Sequence, residues 1–140
     1  MKKLALTLFS LLLVASVFAQ EKDVKVKPSK ALVDQPVFSW TSTQHDFGKI
    51  KVGVPVTHEF TFTNTGDVPL IISTVQASCG CTVAAYTKDP IAPKGKGFIK
   101  ATFNAASVGV FSKTLTVNAN TEEGVVYLTI KGEVVQNVMP

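Results

Sequence analysis

Two cysteines separated by one glycine are the residues of this 140-residue chain best suited to chemistry. Cys79 and Cys81 flank Gly80, and the sequence contains no other cysteine. In an extended strand, side chains two residues apart point to the same face and their Cα atoms lie about 6.6–7 Å apart. That distance is at the outer limit for a disulfide, and Gly80 can relax it by adopting a turn conformation closed to other residues. The spacing therefore permits a bridge.

Four interpretations of this cysteine pair stay open. Cys79 and Cys81 form a structural disulfide, pack as buried free thiols, take part in thiol–disulfide exchange, or bind a soft metal ion such as copper(I) or zinc. The usual redox motif has two intervening residues at a helix N-terminus, and no helix is predicted here. A disulfide that closes so short a loop contributes only about 1.6 kcal/mol, so core burial should dominate stability.

Two histidines are the residues that would have to complete a metal site. Tetrahedral zinc takes four ligands, of which the cysteines supply two. His58 falls on the apolar face of a predicted strand, which favours a packed side chain, and His45 lies in a predicted loop, which favours a solvated one. A cysteine–histidine nucleophile would need an oxyanion site, which nothing in the sequence marks. We therefore expect no catalytic residue, cofactor or metal; if a metal binds, the candidate ligands are Cys79, Cys81, His58 and His45.

Short β-strands are the elements predicted to position these residues. Val56–Asn64 alternates cleanly, with apolar residues and His58 on one face and polar residues on the other. Turn chemistry follows at Asn64–Asp67, where Gly66 is able to take a positive φ. The other predicted strands are Val37–Trp40, Asp46–Ile50, Leu70–Val75, Phe98–Asn104, Phe111–Asn118 and a last strand lined by Val126, Leu128 and Ile130.

The spacing of these strands predicts the fold. Short strands at intervals of roughly 8–12 residues, with no segment of helical period, indicate a sandwich. Leu70–Val75 is apolar enough to be a central strand, residues 91–97 are predicted to form a loop, and Trp40 is expected to pack in the core or at an edge. We therefore predict an all-β, immunoglobulin-like antiparallel β-sandwich of about seven strands.

The N-terminus predicts export. Lys2 and Lys3 precede an apolar run over residues 4–15, and Val17 and Ala19 stand at the two positions that a signal peptidase reads. This pattern identifies residues 1–19 as a secretory signal peptide. The apolar run is shorter than the roughly 18 residues that span a bilayer. Residues 20–35 then form a charged, flexible leader and residues 36–140 the folded domain, which is expected to be periplasmic or secreted, where disulfides persist.

Removing the signal peptide changes the composition. The remaining 140 − 19 = 121 residues carry 14 − 2 = 12 lysines and 10 acidic residues, a net charge of +2, and no arginine. A nearly neutral chain without arginine does not fit a nucleic-acid binder, which presents clustered Lys and Arg. The 121 residues include 18 valines, 6 isoleucines and 14 threonines against 4 leucines, which favours strands. No second apolar stretch approaches membrane length, so we expect no membrane span after signal removal.

Several stretches of the sequence resemble a known bacterial family. The stretches are His45–Ile50, Phe60–Gly66 and Ala77–Thr82, with Ile91–Gly95 and Ile130–Val134 further along. In order and spacing they resemble the exported family catalogued as domain of unknown function 1573, over residues from about 38 to 134. That family is similar to the immunoglobulin-like repeats of hydin and the major sperm protein, which implies an exported Ig-like domain of unsettled biochemical role. No catalytic residue carries over from the resemblance.

Two functions from different classes follow from these observations. The first is an exported, non-enzymatic Ig-like module that binds a protein or a cell-envelope component, because open sheet edges accept a partner strand. A purely structural spacer is a variant of the same class. The alternative is a thiol-redox or soft-metal protein centred on Cys79 and Cys81.

Overall fold

The computed structural model describes residues 34–137, which form eight strands. The predicted signal peptide, and all but the last two residues of the predicted leader, lie outside the described residues. Within residues 34–137 there is no helix long and apolar enough to cross a membrane. The strands are β1 (Phe38–Trp40), β2 (Gln44–Lys51), β3 (Val56–Asn64), β4 (Ile72–Ala77), β5 (Thr82–Tyr86), β6 (Lys96–Phe103), β7 (Gly109–Ala119) and β8 (Val125–Val135).

The strands form two four-stranded sheets. The first sheet has the order β1-β3-β6-β5 and the second has the order β2-β8-β7-β4. All neighbours are antiparallel except β2 and β8, which run parallel, so the second sheet is mixed. The predicted immunoglobulin-like β-sandwich is confirmed, with eight strands rather than about seven and one parallel pair.

The core lies between the two sheets and follows the predicted alternation. Phe60 and Phe62 of β3 lose nearly all their solvent exposure, and so do most inward residues of β6, β7 and β8, whereas Val56 and His58 at the start of β3 stay half-buried. Burying these side chains provides the main stabilisation of a domain of this size. The largest fully buried apolar side chains are Phe60, Phe62, Leu70, Ile99, Leu115, Val117, Leu128, Ile130 and Val134.

β5 is a strand that the sequence pattern missed. No strand was predicted between Val75 and Phe98, yet Thr82–Tyr86 pairs along its length with β6, with Ala84 opposite Ala101. Alanine is depleted in strands, so the two central alanines give a weak local signal. The pairing with β6 supplies the strand conformation instead.

The strand predicted over Leu70–Val75 was expected to be central, and this is wrong. Leu70 forms an isolated bridge with Ile91, and β4 begins only at Ile72 and pairs on one side alone, with β7. Leu70 and Ile72 are buried, whereas most of the following β4 side chains are exposed or half-buried. The segment is apolar because Leu70 and Ile72 enter the core. The strand β4 itself nevertheless lies at the edge of its sheet.

A buried asparagine organises the turn after β3. The Asn64 side chain has no solvent exposure; its Oδ1 accepts from the backbone N–H of Val37 and Gly66, and its Nδ2 donates to the carbonyls of Val68 and Ile91. Gly66 does not take the positive φ that we predicted. A Cβ on Gly66 would overlap the backbone carbonyl oxygen of Gln35, so glycine is required for close packing.

β6 begins inside the predicted loop over residues 91–97. Lys96 and Gly97 already pair with β3, with Gly97 opposite Phe62. A Cβ on Gly97 would overlap the ring of Phe62. Glycine at this position therefore makes room for a core aromatic ring rather than forming a turn.

Candidate functional site

The Cys-Gly-Cys motif lies where the chain passes from one sheet to the other. β4 ends at Ala77 in the second sheet and β5 begins at Thr82 in the first, so the motif forms the corner between them. Cys79 and Cys81 are joined by a disulfide, and their Cα atoms are 5.3 Å apart. This distance is shorter than in an extended strand because residues 78–81 form a bend and a turn.

Gly80 contributes to this corner in a different way from the one predicted. Its φ lies outside the left-handed region that favours glycine, and a Cβ built on it meets nothing within 4 Å. The turn between the cysteines therefore does not use the special conformational freedom of glycine.

The corner is anchored to the strands on both sides. Ser78 donates its backbone N–H to the Thr114 carbonyl at 2.9 Å and accepts the Thr114 N–H on its hydroxyl at 3.2 Å. The Asn104 N–H donates to the Cys81 carbonyl at 3.1 Å, and Cys81 packs against the core. The end of β4 and the start of β5 are therefore both held in place by hydrogen bonds to other strands.

His45 and His58 stack on each other across the two sheets. Their ring centroids are 3.6 Å apart with an interplanar angle of 7°, and Phe47 and Phe60 contact them edge-on. His45 lies within β2 and is half-buried, so the expectation of a solvated loop position is wrong. The half-buried His58 does lie on the inward face of β3.

The electrostatics of this histidine stack oppose protonation. Burial lowers the pKa of His58 below its ordinary value, and the neighbouring His45 lowers it further, while Glu59 opposes both effects. A second positive charge on a stacked imidazole is unfavourable because like charges at this distance repel. The neutral form of His58 is therefore favoured in the folded protein.

The four candidate metal ligands fall into two separate pairs. His45 and His58 contact each other, and Cys79 and Cys81 are bonded to each other. Among residues 34–137, no three or more His, Cys, Asp or Glu side chains are grouped so that they could hold a metal ion. The structure therefore does not bring the two pairs together as one ligand set.

The sheet edges differ in how well they are protected against pairing with another chain. Natural edge strands are protected by charges, prolines, bulges or shortness. β2 carries Asp46, Lys49 and Lys51 and is interrupted by a bulge, and β1 has only three residues. β4 is also bulged, and the Tyr86 hydroxyl donates to its Ser73 carbonyl at 3.4 Å. These three edges are poor templates for an added strand.

β5 is the edge that lacks such protection. Its five residues include no charge and no proline, and its pairing with β6 is regular from end to end. The hydrogen bonds that flank this pairing involve the carbonyl of Cys81 and the N–H of Thr87. Because antiparallel pairs alternate, the backbone groups of Ala84 and Tyr86 then point away from β6, toward the open side.

The sequence did contain a signal for this edge. From Ile71 to Thr87 no residue is charged and none is proline, a run of 17 residues in a chain with 24 charged residues. An edge strand without charges lacks the usual protection against pairing, so the missing charges, and not only the cysteines, distinguish this segment.

The fold and the corner define a small Ig-like β-sandwich whose sheets are joined by a disulfide-bridged crossover. A family model described as "Protein of unknown function (DUF1573)" matches residues 38–134, and the chain belongs to this family. The resemblance stated from the sequence motifs is therefore confirmed. No significant match was found among curated proteins.

Solved structures share the fold at low sequence identity. A Porphyromonas gingivalis W83 protein of unknown function is 19% identical with a TM-score of 0.64, and the match covers 71% of this chain but 48% of that protein. A PapD-like domain of human CEP192 is 8% identical with a TM-score of 0.63, covering 75% of this chain and 89% of that one. The secreted serine protease VesC of Vibrio cholerae is 17% identical with a TM-score of 0.57, covering 74% and 24%. At such identities the likeness concerns the fold alone.

Proposed function

We propose that this protein is an exported, non-enzymatic binding module that accepts an extended segment of a partner protein or cell-envelope component as an added strand on β5. The observation that carries the proposal is the unprotected β5 edge. An added strand gains affinity from main-chain hydrogen bonds and specificity from its alternate side chains. The periplasm or the cell exterior is the location where such a partner would be met.

The geometry of β5 suits this role. Ala84 and Tyr86 direct their backbone groups to the open side, and Ala85 is exposed. Small side chains on the edge allow another backbone to approach closely. The corner disulfide and its hydrogen bonds hold the start of β5 in place, which lowers the ordering cost that binding must overcome.

A lysine placed on this edge tests the proposal. We expect the Ala85→Lys variant to recover the partner from cell-envelope extract at least about tenfold less well than the wild type, since edge lysines oppose strand addition. Gln44→Lys is the matched control, because it adds the same charge at an exposed position on the protected edge strand β2. The measurement is quantitative affinity capture with equal amounts of the three proteins.

Two outcomes of that experiment contradict the proposal. Equal recovery by the wild type and both variants would place the binding surface elsewhere. Repeated failure of all three proteins to recover any partner would count against a binding module. Circular dichroism spectra of the variants establish that each is folded.

A thiol-redox or soft-metal function is the second candidate, and the observation in its favour is that both cysteines are only half-buried at the corner. A reductant can therefore reach the bridge, and two released thiolates suit a soft metal ion. Free-thiol titration with mass spectrometry under native and reducing conditions separates this function from the first. An inert disulfide without metal would exclude the metal version, and a reduction potential far below that of the compartment would exclude the redox version.

A further inference from the structure

A cavity of about 380 Å³ opens between β1 and the turn that joins β7 to β8. It lies at the β1 edge of the first sheet, whereas β5 forms the opposite edge of that sheet. The cavity is thus separate from the proposed strand-addition edge. The lining residues that matter for its chemistry are Val37, Phe38, Trp40, Thr121, Glu122 and Glu123.

Two buried polar atoms in this lining lack a hydrogen-bond partner. They are the indole Nε1 of Trp40 and the hydroxyl Oγ1 of Thr121, and no other side-chain nitrogen or oxygen in residues 34–137 is in this condition. Most buried polar groups in native proteins are paired, so each unpaired one calls for an explanation. Here both unpaired atoms belong to residues that line the same cavity, where a ligand could supply the missing partners.

An aromatic platform forms one wall of the cavity. The rings of Phe38 and Trp40 stack with centroids 4.8 Å apart and an interplanar angle of 25°. Phe62, which is buried in the core, contacts both rings with centroid distances of 4.9 Å. The wall is therefore backed by the core, and it presents apolar surface next to the unpaired indole donor.

The rim of the cavity is acidic. Glu122 and Glu123 are exposed in the turn after β7, and neither belongs to the ion pairs found among the described residues. A cation on a long alkyl side chain fits such a rim, because its stem can lie across aromatic rings while its charged end reaches the carboxylates.

We propose that this cavity binds an extended peptide segment that carries a lysine or arginine. A backbone carbonyl of the peptide accepts the Trp40 Nε1–H, and the Thr121 hydroxyl pairs with a neighbouring peptide group. The cationic side chain crosses the ring of Phe38 or Trp40 and ends at Glu122 and Glu123. Because the two unpaired atoms lie beneath the surface, binding includes a small movement of the wall around Trp40.

Trp40 is the single tryptophan of the chain, so its fluorescence reports on this cavity directly. The probe is a blocked synthetic peptide with one central lysine among alanines and serines, and the control peptide carries glutamate at that position. We expect the lysine peptide to change the Trp40 emission saturably, with an affinity that falls as salt is raised, because the charges meet near the surface. The glutamate peptide should cause no saturable change.

Variants identify the groups that bind. Trp40→Phe keeps a six-membered aromatic ring and removes the five-membered ring that carries the indole donor, so calorimetry should show an affinity about tenfold lower. Thr121→Val removes the hydroxyl at nearly constant shape and should also weaken binding. Glu122→Gln and Glu123→Gln should each weaken binding and reduce its salt dependence, whereas Asp89→Asn removes an exposed charge outside the cavity lining and should change neither.

Several results would overturn this proposal. Absence of a saturable emission change with the lysine peptide is one, and equal binding of the glutamate peptide is another. Unchanged affinity in the folded Thr121→Val and Glu122→Gln variants would also contradict it. The Ala85→Lys variant should bind the lysine peptide as the wild type does. This measurement therefore distinguishes failure of the strand-addition proposal at β5 from failure of the peptide-binding proposal at this cavity.

Discussion

At the scale of single residues, the stacked pair of His45 and His58 has a clear consequence for stability. Two positive charges on imidazoles in face-to-face contact repel each other, and burial disfavours even a single charge on His58. His58 is the residue whose pKa is lowered, first by burial and then by His45. Folding therefore favours its neutral form, and the unfolded chain binds a proton more readily than the folded chain.

The first prediction concerns pH. Because the folded pKa of His58 lies below its ordinary value of 6.5, its contribution to stability is complete above that pH. It is lost as the pH falls from about 6.5 toward the lower folded pKa. The free energy of unfolding, measured by urea denaturation at a series of pH values, should decrease across this window in the wild type.

A matched variant isolates the histidine pair in that measurement. His58→Phe keeps a ring in the stack but cannot titrate, so its unfolding free energy should decrease less between pH 7.5 and 5 than that of the wild type. An identical pH dependence in the two proteins would show that the stack does not couple folding to protonation. His45→Phe should have an effect in the same direction, since His45 is the second cause of the lowered pKa.

Contacts between residues that are close in the sequence could be predicted, whereas contacts between distant residues could not. The adjacency of Cys79 and Cys81 is local, and their capacity to form a bridge could be predicted from spacing and backbone geometry. The contact of His45 with His58 joins strands of different sheets, and the two residues were considered together only as possible metal ligands. Long-range side-chain contacts of this kind depend on how the sheets pack, which residue periodicity does not specify.

At the scale of elements, the corner between β4 and β5 has a disulfide that does little for global stability. The bridge closes a loop of three residues, which restricts the unfolded chain only slightly. The corner is also held by the hydrogen bonds between Ser78 and Thr114 of β7, and by the bond that the Cys81 carbonyl accepts from the N–H of Asn104, just after β6. The bridge therefore acts chiefly on the local geometry at the start of β5.

The second prediction follows from this loop length. Replacing both cysteines, as Cys79→Ala with Cys81→Ala, should lower the free energy of unfolding by about 1.6 kcal/mol from the loop term. Chemical denaturation of the variant and the wild type gives the value. A loss of more than about 3 kcal/mol, the level of a much larger loop, would show that the bridge holds the fold itself. Partner capture by the same variant should weaken if the bridge prepares the β5 edge.

Elements with a strong local pattern were predicted well. The bounds of β3, Val56–Asn64, match the clean alternation of its residues. β5 was missed because its alanines carry little strand preference, and β4 was misplaced because an apolar segment does not reveal whether its strand is central or at an edge. Those two errors concern strands that follow each other in the chain but lie in different sheets, and because of them the open β5 edge, on which the proposed function depends, was not predicted.

At the scale of the whole molecule, the first sheet presents different surfaces at its two edges. β5 offers unpaired backbone groups for an added strand, and the β1 side offers an aromatic, acidic cavity with two unpaired buried atoms. The β5 edge would recognise the backbone of one peptide segment, and the cavity at the β1 side would recognise the cationic side chain of another. One small domain could then bind two peptide segments. The strands β3 and β6 lie between these two edges and contribute buried apolar side chains to the core.

The global fold was predictable because two independent signals agreed. Alternating strands indicated a sandwich, and the sequence motifs resembled a family whose model matches residues 38–134. The parallel pairing of β2 with β8 was not predictable, since it joins the second strand to the last one in the chain. Such pairing depends on how all the strands are arranged in the two sheets, not on the residues of either strand alone.

Amide hydrogen exchange at β5, measured by NMR on the free protein and on its complex with the captured partner, tests the central claim most directly. We predict fast exchange of the Ala84 and Tyr86 amides in the free protein and at least about tenfold slower exchange in the complex, because an added strand would accept their hydrogen bonds. Amides in the protected edge strand β2 should change little. Protection of Ala84 and Tyr86 in the free protein, or exchange in the complex as fast as without the partner, would contradict strand addition at β5.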